Sequence, residues 1–248
     1  MITTEELGRI KELRKTNMYY EEKEYLQYIF LNAISRFPEK FVFKGGTALR
    51  ICFDLERASE DLDFSTNLNV NELRKGVYLC LKNFDLLNIP YEIYSEKKFE
   101  GNARFEIRFR GPLFNGEPKS TNTLKVDFNK QRSYNKEAKV VNKIFSDVPS
   151  FVAIVLSEKE ILSEKIRALI NRSEPRDLYD LWFLFSKGAP IDRELIKIKL
   201  KEESSDYKKL KYPSEKEYNT SLRHLVHFLP DYTQVLREVS EKLGKVFK

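Results

Sequence analysis

Several features are scarce or absent in this sequence of 248 residues, and each absence excludes a class of protein. It has only two cysteines, Cys52 and Cys80, both among apolar neighbours, so we expect core thiols in a reducing compartment rather than disulfides. Two cysteines and two histidines without paired spacing argue against a structural zinc site. No apolar run approaches the roughly 18–20 residues that span a bilayer. The N-terminus also lacks a basic segment followed by an apolar one. We therefore expect a cytoplasmic protein with no signal peptide and no membrane partner.

The sequence does contain enough apolar residues to fold, together with a small basic excess. Hydrophobic residues make up 41% and aromatic residues 13%, which predicts a packed core rather than disorder. The formal net charge is +6, from 44 basic and 38 acidic residues. This balance is compatible with a nucleic-acid partner or a nucleotide substrate, and equally with a charged surface that only keeps the protein in solution.

Hydrophobic periodicity predicts both helices and strands before about residue 150 and helices alone after it. We predict helices at 3–15, 20–37, 48–53 and 70–88, strands at 41–43, 62–65, 91–94, 104–110 and 123–128, and helices only from about 157 onward. The prediction is an α+β fold in which helices flank a mixed sheet. Its two parts are an α/β domain with N-terminal helices at 1–150 and a helical domain at 151–248.

The most informative motif is Asp61-Leu62-Asp63-Phe64. Side chains alternate along a strand, so Asp61 and Asp63 share one face about 6.6 Å apart, while the apolar residues can be buried on the other face. Two neighbouring carboxylates repel each other, and a divalent cation bound between them offsets this repulsion. We therefore predict that Asp61 and Asp63 bind Mg²⁺, with Mn²⁺ as the alternative.

A glycine-containing segment, Lys44-Gly45-Gly46-Thr47, comes before this motif. It lies between a predicted strand and a predicted helix, where glycine allows a ligand to approach the backbone and the helix N-terminus offers N–H groups to phosphate. Lys44 adds a positive charge and Thr47 a hydroxyl donor. The GxxxxGK[ST] spacing of a P-loop is absent. We predict that these four residues bind the phosphates of a nucleotide.

A third acid, Asp127, alternates with Val126 and Phe128 in a predicted buried strand. If it reaches the Asp61/Asp63 pair, it completes a two-metal site of the kind that stabilises both oxygens in phosphoryl transfer. It could also help to deprotonate an acceptor hydroxyl. Taken singly, these motifs are more often a turn, a solvated strand edge and a surface acid. Their order along the chain favours the joint interpretation.

A second set of charged residues occurs in the C-terminal part. Lys165 lies in a predicted helix at about 161–169, and Pro175 suits the first turn of the next helix. Asp177 and Asp180 are three residues apart and therefore share a face of that helix. Lys165 could contact a triphosphate or pair with these acids. The simpler alternatives are a surface lysine and an acid that complements the helix dipole.

Taken together, these motifs resemble those of the AbiEii/AbiGii-type toxin nucleotidyltransferases, and the mycobacterial MenT toxins are similar. The four motifs are, in chain order, Lys44-Gly45-Gly46-Thr47-Ala48-Leu49, Arg57-Ala58-Ser59-Glu60-Asp61-Leu62-Asp63-Phe64, Glu164-Lys165-Ile166-Arg167-Ala168-Leu169 and Arg176-Asp177-Leu178-Tyr179-Asp180-Leu181. They span roughly residues 40–185. The first two motifs also resemble the wider superfamily of polymerase-beta-like nucleotidyltransferases.

The resemblance implies a nucleotidyltransferase-like fold, with a helical domain that completes the active site. By position it implies these roles: Asp61 and Asp63 hold the metal, Ser59 and Gly46 lie at the nucleotide phosphates, Lys165 stabilises the triphosphate, and Asp177 or Asp180 supplies the remaining acid. It also implies a toxin of a toxin–antitoxin or phage-defence system, with an antitoxin as partner. The expected reaction moves a nucleoside monophosphate from an NTP to RNA, with tRNA as the favoured acceptor.

Two other functions remain open from the sequence. One is a nucleotide- or RNA-binding module without catalysis, and the other is a nucleotidyltransferase that modifies a protein or a small molecule. Two groups of basic residues could contact RNA phosphates or simply be solvated: Arg104, Arg108 and Arg110, and Lys197, Lys199 and Lys201. For the lysines we favour the solvated interpretation.

Overall fold

The computed structural model describes residues 1–99 and 102–247. The chain divides into two compact units. The sheet unit consists of Met1–Asp54 and Ala58–Val155, and the helical unit consists of Leu55–Arg57 and Leu156–Lys248. In the described part of the chain, no helix is both long and apolar enough to cross a membrane.

Seven strands of the sheet unit, within the described residues, form one mixed sheet. The helices of this unit are α1 (Thr4–Arg14), α2 (Met18–Ile34), α3 (Gly45–Cys52) and α4 (Val70–Leu86). The strands are β1 (Val42–Lys44), β2 (Asp61–Ser65), β3 (Tyr91–Phe99), β4 (Asn102–Phe109), β5 (Asn122–Asn129), β6 (Lys136–Val141) and β7 (Phe151–Leu156). Their order is β3-β4-β5-β2-β1-β7-β6. Central strand β2 pairs antiparallel with β1 and parallel with β5.

One face of the central strands is apolar and the other polar. Leu62 and Phe64 of β2 are buried, as are Val126 and Phe128 of β5. The rings of Phe64 and Phe128 stack with their centroids 5.5 Å apart. Because strand side chains alternate, this packing directs the odd-numbered residues of both strands, including Asp63, to the polar face.

Helix α2 buries four consecutive charged residues, 21–24, in its first two turns. Glu22 accepts a hydrogen bond of 3.0 Å from the side chain of Asn122, at the start of β5. Lys23 donates one of 2.7 Å to the carbonyl of Thr123. Buried polar groups need such partners, so α2 is joined to β5 by polar as well as apolar contacts.

The helical unit is built from amphipathic helices. Its α-helices are α5 (Glu158–Arg172), α6 (Pro175–Lys187), α7 (Arg193–Glu202), α8 (Glu215–Leu222) and α9 (Tyr232–Val246). Pro175 occupies the first turn of α6, where its missing N–H costs nothing. The helix ends at Gly188, whose φ of 79° is in the left-handed region that favours glycine.

The structure corrects several predicted boundaries. Helix α3 begins at Gly45 rather than at residue 48, and α2 ends at Ile34 rather than at residue 37. Strands β6 and β7 were not predicted. The β7 sequence is a continuous apolar run, which periodicity cannot distinguish from a buried helix. Strand β6 lies at the sheet edge and exposes alternate residues, so it lacks a long apolar pattern.

Candidate active site

Four charged side chains form a row across the polar face of the sheet, from β1 to β4. Lys44 lies opposite Asp63 in the antiparallel pair of β1 and β2. Asp63 lies beside Asp127 in the parallel pair of β2 and β5. Asp127 in turn lies opposite Arg104 of β4. Neighbouring strands are about 4.8 Å apart. The row therefore places two acids at its centre and one base at each end.

Arg104 binds Asp127 through two hydrogen bonds, Nε to Oδ1 at 2.7 Å and Nη2 to Oδ2 at 3.1 Å. Such a planar, bidentate pair fixes the orientation of the carboxylate. Arg104 thus has a partner within the sheet, which neither of the two alternatives from the sequence, an RNA phosphate or solvent, included. Arg108 also has partners on the neighbouring strand, since its guanidinium stacks over the ring of Tyr94 at 3.3 Å from the centroid.

Gly45 follows Lys44 at the carboxyl end of β1 and packs against Asp63. Its φ is +79°, and a Cβ at this position would lie 2.5 Å from Oδ2 of Asp63. Only glycine therefore allows the first residue of α3 to approach the acid so closely. Lys44 is the N-cap of α3, and its ammonium cannot accept a hydrogen bond from the first-turn N–H groups. Gly46 is the second, half-buried residue of this turn. The start of α3 thus lies close to the carboxylate of Asp63.

Hydrogen bonds connect the other residues predicted at the nucleotide. The Thr47 hydroxyl is fully buried, lies 2.8 Å from the Ser59 hydroxyl and donates to the carbonyl of Asp61. Lys44 donates to Oε1 of Gln131, which follows β5. The Thr47 hydroxyl is therefore engaged inside the protein, and its contacts hold the start of β2 against α3.

Gln27 of α2 is a positioning residue that sequence analysis missed. It is only 1% exposed, and its Nε2 donates to the carbonyls of Ser59 at 3.0 Å and Glu60 at 3.1 Å. These two carbonyls immediately precede Asp61. Gln27 and Thr47 thus bind adjoining parts of the segment that leads into the acid pair. A glutamine inside an apolar helical stretch was the available signal, but the sequence does not identify its partner.

The electrostatics of the acid pair fit a divalent cation. Burial raises the pKa of Asp61, and the charge of Asp127 raises it further, although Lys125 opposes this shift. Carboxylate oxygens that repel each other are the ligands Mg²⁺ prefers. No three acidic, cysteine or histidine side chains are preassembled as a metal site in residues 1–99 and 102–247. Asp127 is held by Arg104, so Asp61 and Asp63 are the better candidates for ligands.

The predicted residues of the helical unit form a buried ionic network. Lys165 of α5 lies between two acids of α6, at 3.0 Å from Asp177 and 2.7 Å from Asp180. Arg57 binds Asp180 with bonds of 2.6 and 2.7 Å, and Arg172 binds Asp177 with bonds of 2.7 and 3.0 Å. Both carboxylates are fully buried. Lys165 is therefore not a surface lysine, and it pairs with both acids.

The network keeps its members charged despite their burial. Burial by itself would raise the pKa of Asp180, but Arg57 and Lys165 lower it to about 2. Burial would lower the pKa of Lys165, but Asp180 and Asp177 raise it above the usual lysine value. The lysine and both acids therefore remain ionised at neutral pH.

The structure corrects the prediction that all three lysines of α7 are solvated. Lys199 is completely buried and pairs with Glu160 at 2.7 Å and Glu164 at 3.1 Å. Lys197 and Lys201 are exposed, as predicted. Lys199 lies on the same face of α7 as the buried Leu195 and Ile196, so it faces α5.

The acid pair on the central strand of the mixed sheet, beside a glycine at the start of a helix, has the arrangement that the sequence motifs predict for a nucleotidyltransferase. The chain belongs to the AbiEii nucleotidyl transferase toxin family of type IV toxin–antitoxin systems, whose family model matches residues 29–244. It is therefore a nucleotidyltransferase of the toxin class, and the predicted family is confirmed.

Solved structures confirm the fold. MenT4, a nucleotidyltransferase toxin from Mycobacterium tuberculosis H37Rv, is 20% identical, with a TM-score of 0.74 over 100% of this chain and 90% of that protein. JHP933 from Helicobacter pylori is 21% identical, with a TM-score of 0.61 over 93% of both chains. No curated protein matches the sequence significantly.

Proposed function

We propose that this protein transfers a nucleoside monophosphate from an NTP to a hydroxyl of RNA, with tRNA as the favoured acceptor, and that the reaction needs Mg²⁺. The observation that carries the proposal is the row Lys44–Asp63–Asp127–Arg104, closed by Gly45. Acids concentrated beside the open start of a helix suit a site that binds a cation and a phosphate together.

The proposed reaction is a substitution at the α-phosphorus of the NTP, accompanied by a proton transfer. The acceptor oxygen forms a bond to the α-phosphorus, the bond to the bridging oxygen of the β-phosphate breaks, and pyrophosphate leaves. The acceptor proton moves to a carboxylate, for which we propose Asp127. Asp61 and Asp63 would hold Mg²⁺, which would stabilise the negative charge of the transferring phosphoryl group.

The remaining residues are proposed to bind or to orient. Lys44 and the N–H groups of Gly45 and Gly46 offer positive charge and donors to the nucleotide phosphates. For Thr47 and Ser59 the hydrogen bonds favour an orienting role at the start of β2. The roles of Lys165, Asp177 and Asp180 stay predictions based on the family resemblance.

The family also bears on the biological role. A toxin of a type IV toxin–antitoxin system implies a cognate antitoxin, and we propose that one controls this enzyme. Transfer of a nucleotide onto the acceptor end of tRNA would block translation, which would explain how the protein acts as a toxin. Modification of a protein or a small molecule is the enzymatic alternative, and nucleotide or RNA binding without transfer is the other.

A transfer assay tests the proposal. The protein is incubated with Mg²⁺ and each NTP labelled at the α-phosphate, with total tRNA, total protein or a small-molecule extract as acceptor. We expect label on tRNA, and none with Asp61→Asn, because an amide is a poor Mg²⁺ ligand. Asp85→Asn, an exposed acid of the same unit, is the matched control and should be fully active.

Each alternative has its own outcome in this assay. Label on protein or on a small molecule alone would replace RNA as the acceptor. NTP binding without transfer to any acceptor would favour the binding module. Full activity of Asp61→Asn would contradict the assignment of the acid pair.

A further inference from the structure

A cavity of about 550 Å³ lies in the sheet unit, at the opposite end of β1 and β2 from Gly45. It is lined by residues 39, 40 and 42 around the start of β1, by 65–68 at the end of β2, and by 130–133 and 136 after β5. Its volume is in the range of sites that hold a ligand. None of these residues is among those predicted to bind the nucleotide.

The charge of the cavity wall is strongly positive. Lys40, Lys130, Arg132 and Lys136 line it, against the single acid Glu39. All four cations are exposed residues; Lys40 precedes β1, and the other three lie within the stretch 130–136. Cations spread along an open cavity suit an extended anion better than a single compact one, because each can meet a different charge.

Ser65 is a second, independent sign of a ligand. It lines the cavity and is 97% buried, with a relative exposure of 3%. No group among the described residues is a hydrogen-bond partner of its Oγ. A buried hydroxyl without a partner is costly, and an acceptor oxygen from a ligand would satisfy it.

The cavity adjoins the acid row on the same sheet face. Ser65 follows Asp63 by two residues, so their side chains point to the same side about 6.6 Å apart along β2. Gly45 lies at the other end of the β1–β2 pair, because the two strands are antiparallel and Lys44, not Val42, lies opposite Asp63. Asp63, and Asp127 beside it, therefore lie between the start of α3 and the cavity.

We propose that this cavity binds backbone phosphates of the acceptor RNA, next to the hydroxyl that is modified. The inference rests on the proposed function for the identity of the acceptor, but the phosphate-binding site itself rests on the cavity, its cations and Ser65. The start of α3 then serves the NTP and the cavity serves the acceptor. The reacting groups of the two substrates meet at the acids between them.

Charge removal tests the site directly. The variant Lys40→Ala/Lys130→Ala/Lys136→Ala removes three cavity cations, and Lys75→Ala/Lys82→Ala/Lys119→Ala removes three exposed lysines elsewhere in the sheet unit. Binding of a fluorescein-labelled single-stranded RNA is measured over a range of salt concentrations. We expect the cavity variant to bind at least about tenfold more weakly, with a salt slope smaller by about 2, since each phosphate contact contributes about 0.7. The control should match the wild type.

Ser65→Ala provides a test that does not depend on net charge. Since the hydroxyl makes no hydrogen bond to the described residues, its removal should leave the melting temperature unchanged or slightly higher. We expect RNA affinity to fall severalfold all the same. A Ser65→Ala variant with unchanged RNA affinity would show that the hydroxyl does not contact the ligand and would overturn its part in the proposal.

The outcomes separate this inference from the proposed function. If the cavity variant loses RNA affinity but the wild type labels no RNA, the binding site stands and the proposed acceptor is wrong. If the cavity variant binds RNA as tightly as its control does, the site is refuted, whatever the transfer assay shows. If it loses affinity for NTP instead, measured by titration calorimetry, the cavity is a nucleotide site and the RNA assignment is wrong.

Discussion

Arg104 and Asp127 form a bidentate pair in the same strand register that places Asp127 beside Asp63. One base thus offsets one of the two acids at the centre of the row. Any cation that binds there competes with Arg104 for the attraction of Asp127. The affinity of the site for Mg²⁺ should therefore depend on a residue that is not itself a metal ligand.

Replacement of Arg104 by methionine should tighten Mg²⁺ binding. The side chains of this pair are partly exposed, at 38% and 14%, so screening limits the effect to about 1 kcal/mol, or up to about fivefold in affinity. The measurement is the Mg²⁺ concentration that gives half of the maximal rise in melting temperature. Arg108→Met, on the same strand, is the control. Weaker Mg²⁺ binding by Arg104→Met would show that Arg104 orients Asp127 toward the metal instead.

Gly45→Ala should abolish transfer. The new methyl group would collide with Oδ2 of Asp63, and the positive φ would add about 1–2 kcal/mol of backbone strain. The control is Gly8→Ala in α1, where nothing lies within 4 Å and alanine should stabilise the helix by about 0.5–1 kcal/mol. Transfer rates and melting temperatures of both variants are compared. An active Gly45→Ala enzyme would disprove the need for close contact between α3 and Asp63.

Gln27→Met should lower kcat more than it changes KM for the NTP. The substitution keeps the volume but removes both hydrogen bonds to the Ser59 and Glu60 carbonyls, which lets Asp61 shift. Misplacement by about 1 Å can reduce the rate up to a hundredfold. Steady-state kinetics give the two constants, and Gln234→Met, at an exposed position of α9, is the control. An altered KM with unchanged kcat would refute the positioning role.

Asp180→Asn should destabilise the protein by about 3–5 kcal/mol, because it leaves Arg57 and Lys165 buried beside a neutral amide. Urea unfolding gives the free energy. Glu241→Gln, exposed on α9, should change it by less than about 0.5 kcal/mol. If Asp180→Asn lowered the unfolding free energy as little as the control does, water would be hydrating the charges of Arg57 and Lys165.

The destabilisation caused by Asp180→Asn should depend on pH. The folded-state pKa of Asp180, about 2, lies below the ordinary value of an aspartate. The stabilisation by its carboxylate is therefore complete above the unfolded-state pKa and is lost as the pH falls through the folded-state value. The difference in unfolding free energy between wild type and Asp180→Asn should be constant from about pH 5 to pH 8 and shrink below about pH 4. A difference that grows on acidification would contradict this account.

The acid pair could be predicted from sequence because strand alternation acts between residues two apart. The same rule placed Asp127 on the polar face, and order along the chain suggested that it lies near Asp63. The family resemblance identified Lys165, Asp177 and Asp180 as a set, and the structure brings these three together.

What could not be predicted depends on contacts between distant segments. Gln27 acts on carbonyls 32 and 33 residues away, and nothing in its local pattern indicates this. Lys199 has the charge of a solvated residue, and only the acids of α5 explain its burial. For Arg104 the sequence left an RNA phosphate and solvent as alternatives, because its actual partner, Asp127, lies 23 residues further along the chain.

The buried charges at the start of α2 have a consequence for folding. Glu22 and Lys23 find their partners about 100 residues later, at Asn122 and Thr123. Until β5 is in place, burial of this helix leaves ionised groups without partners. Docking of α2 should therefore be a late step, and contacts of such high sequence separation slow folding. During synthesis at roughly 5–20 residues per second, β5 should be made only about 5–20 seconds after this helix.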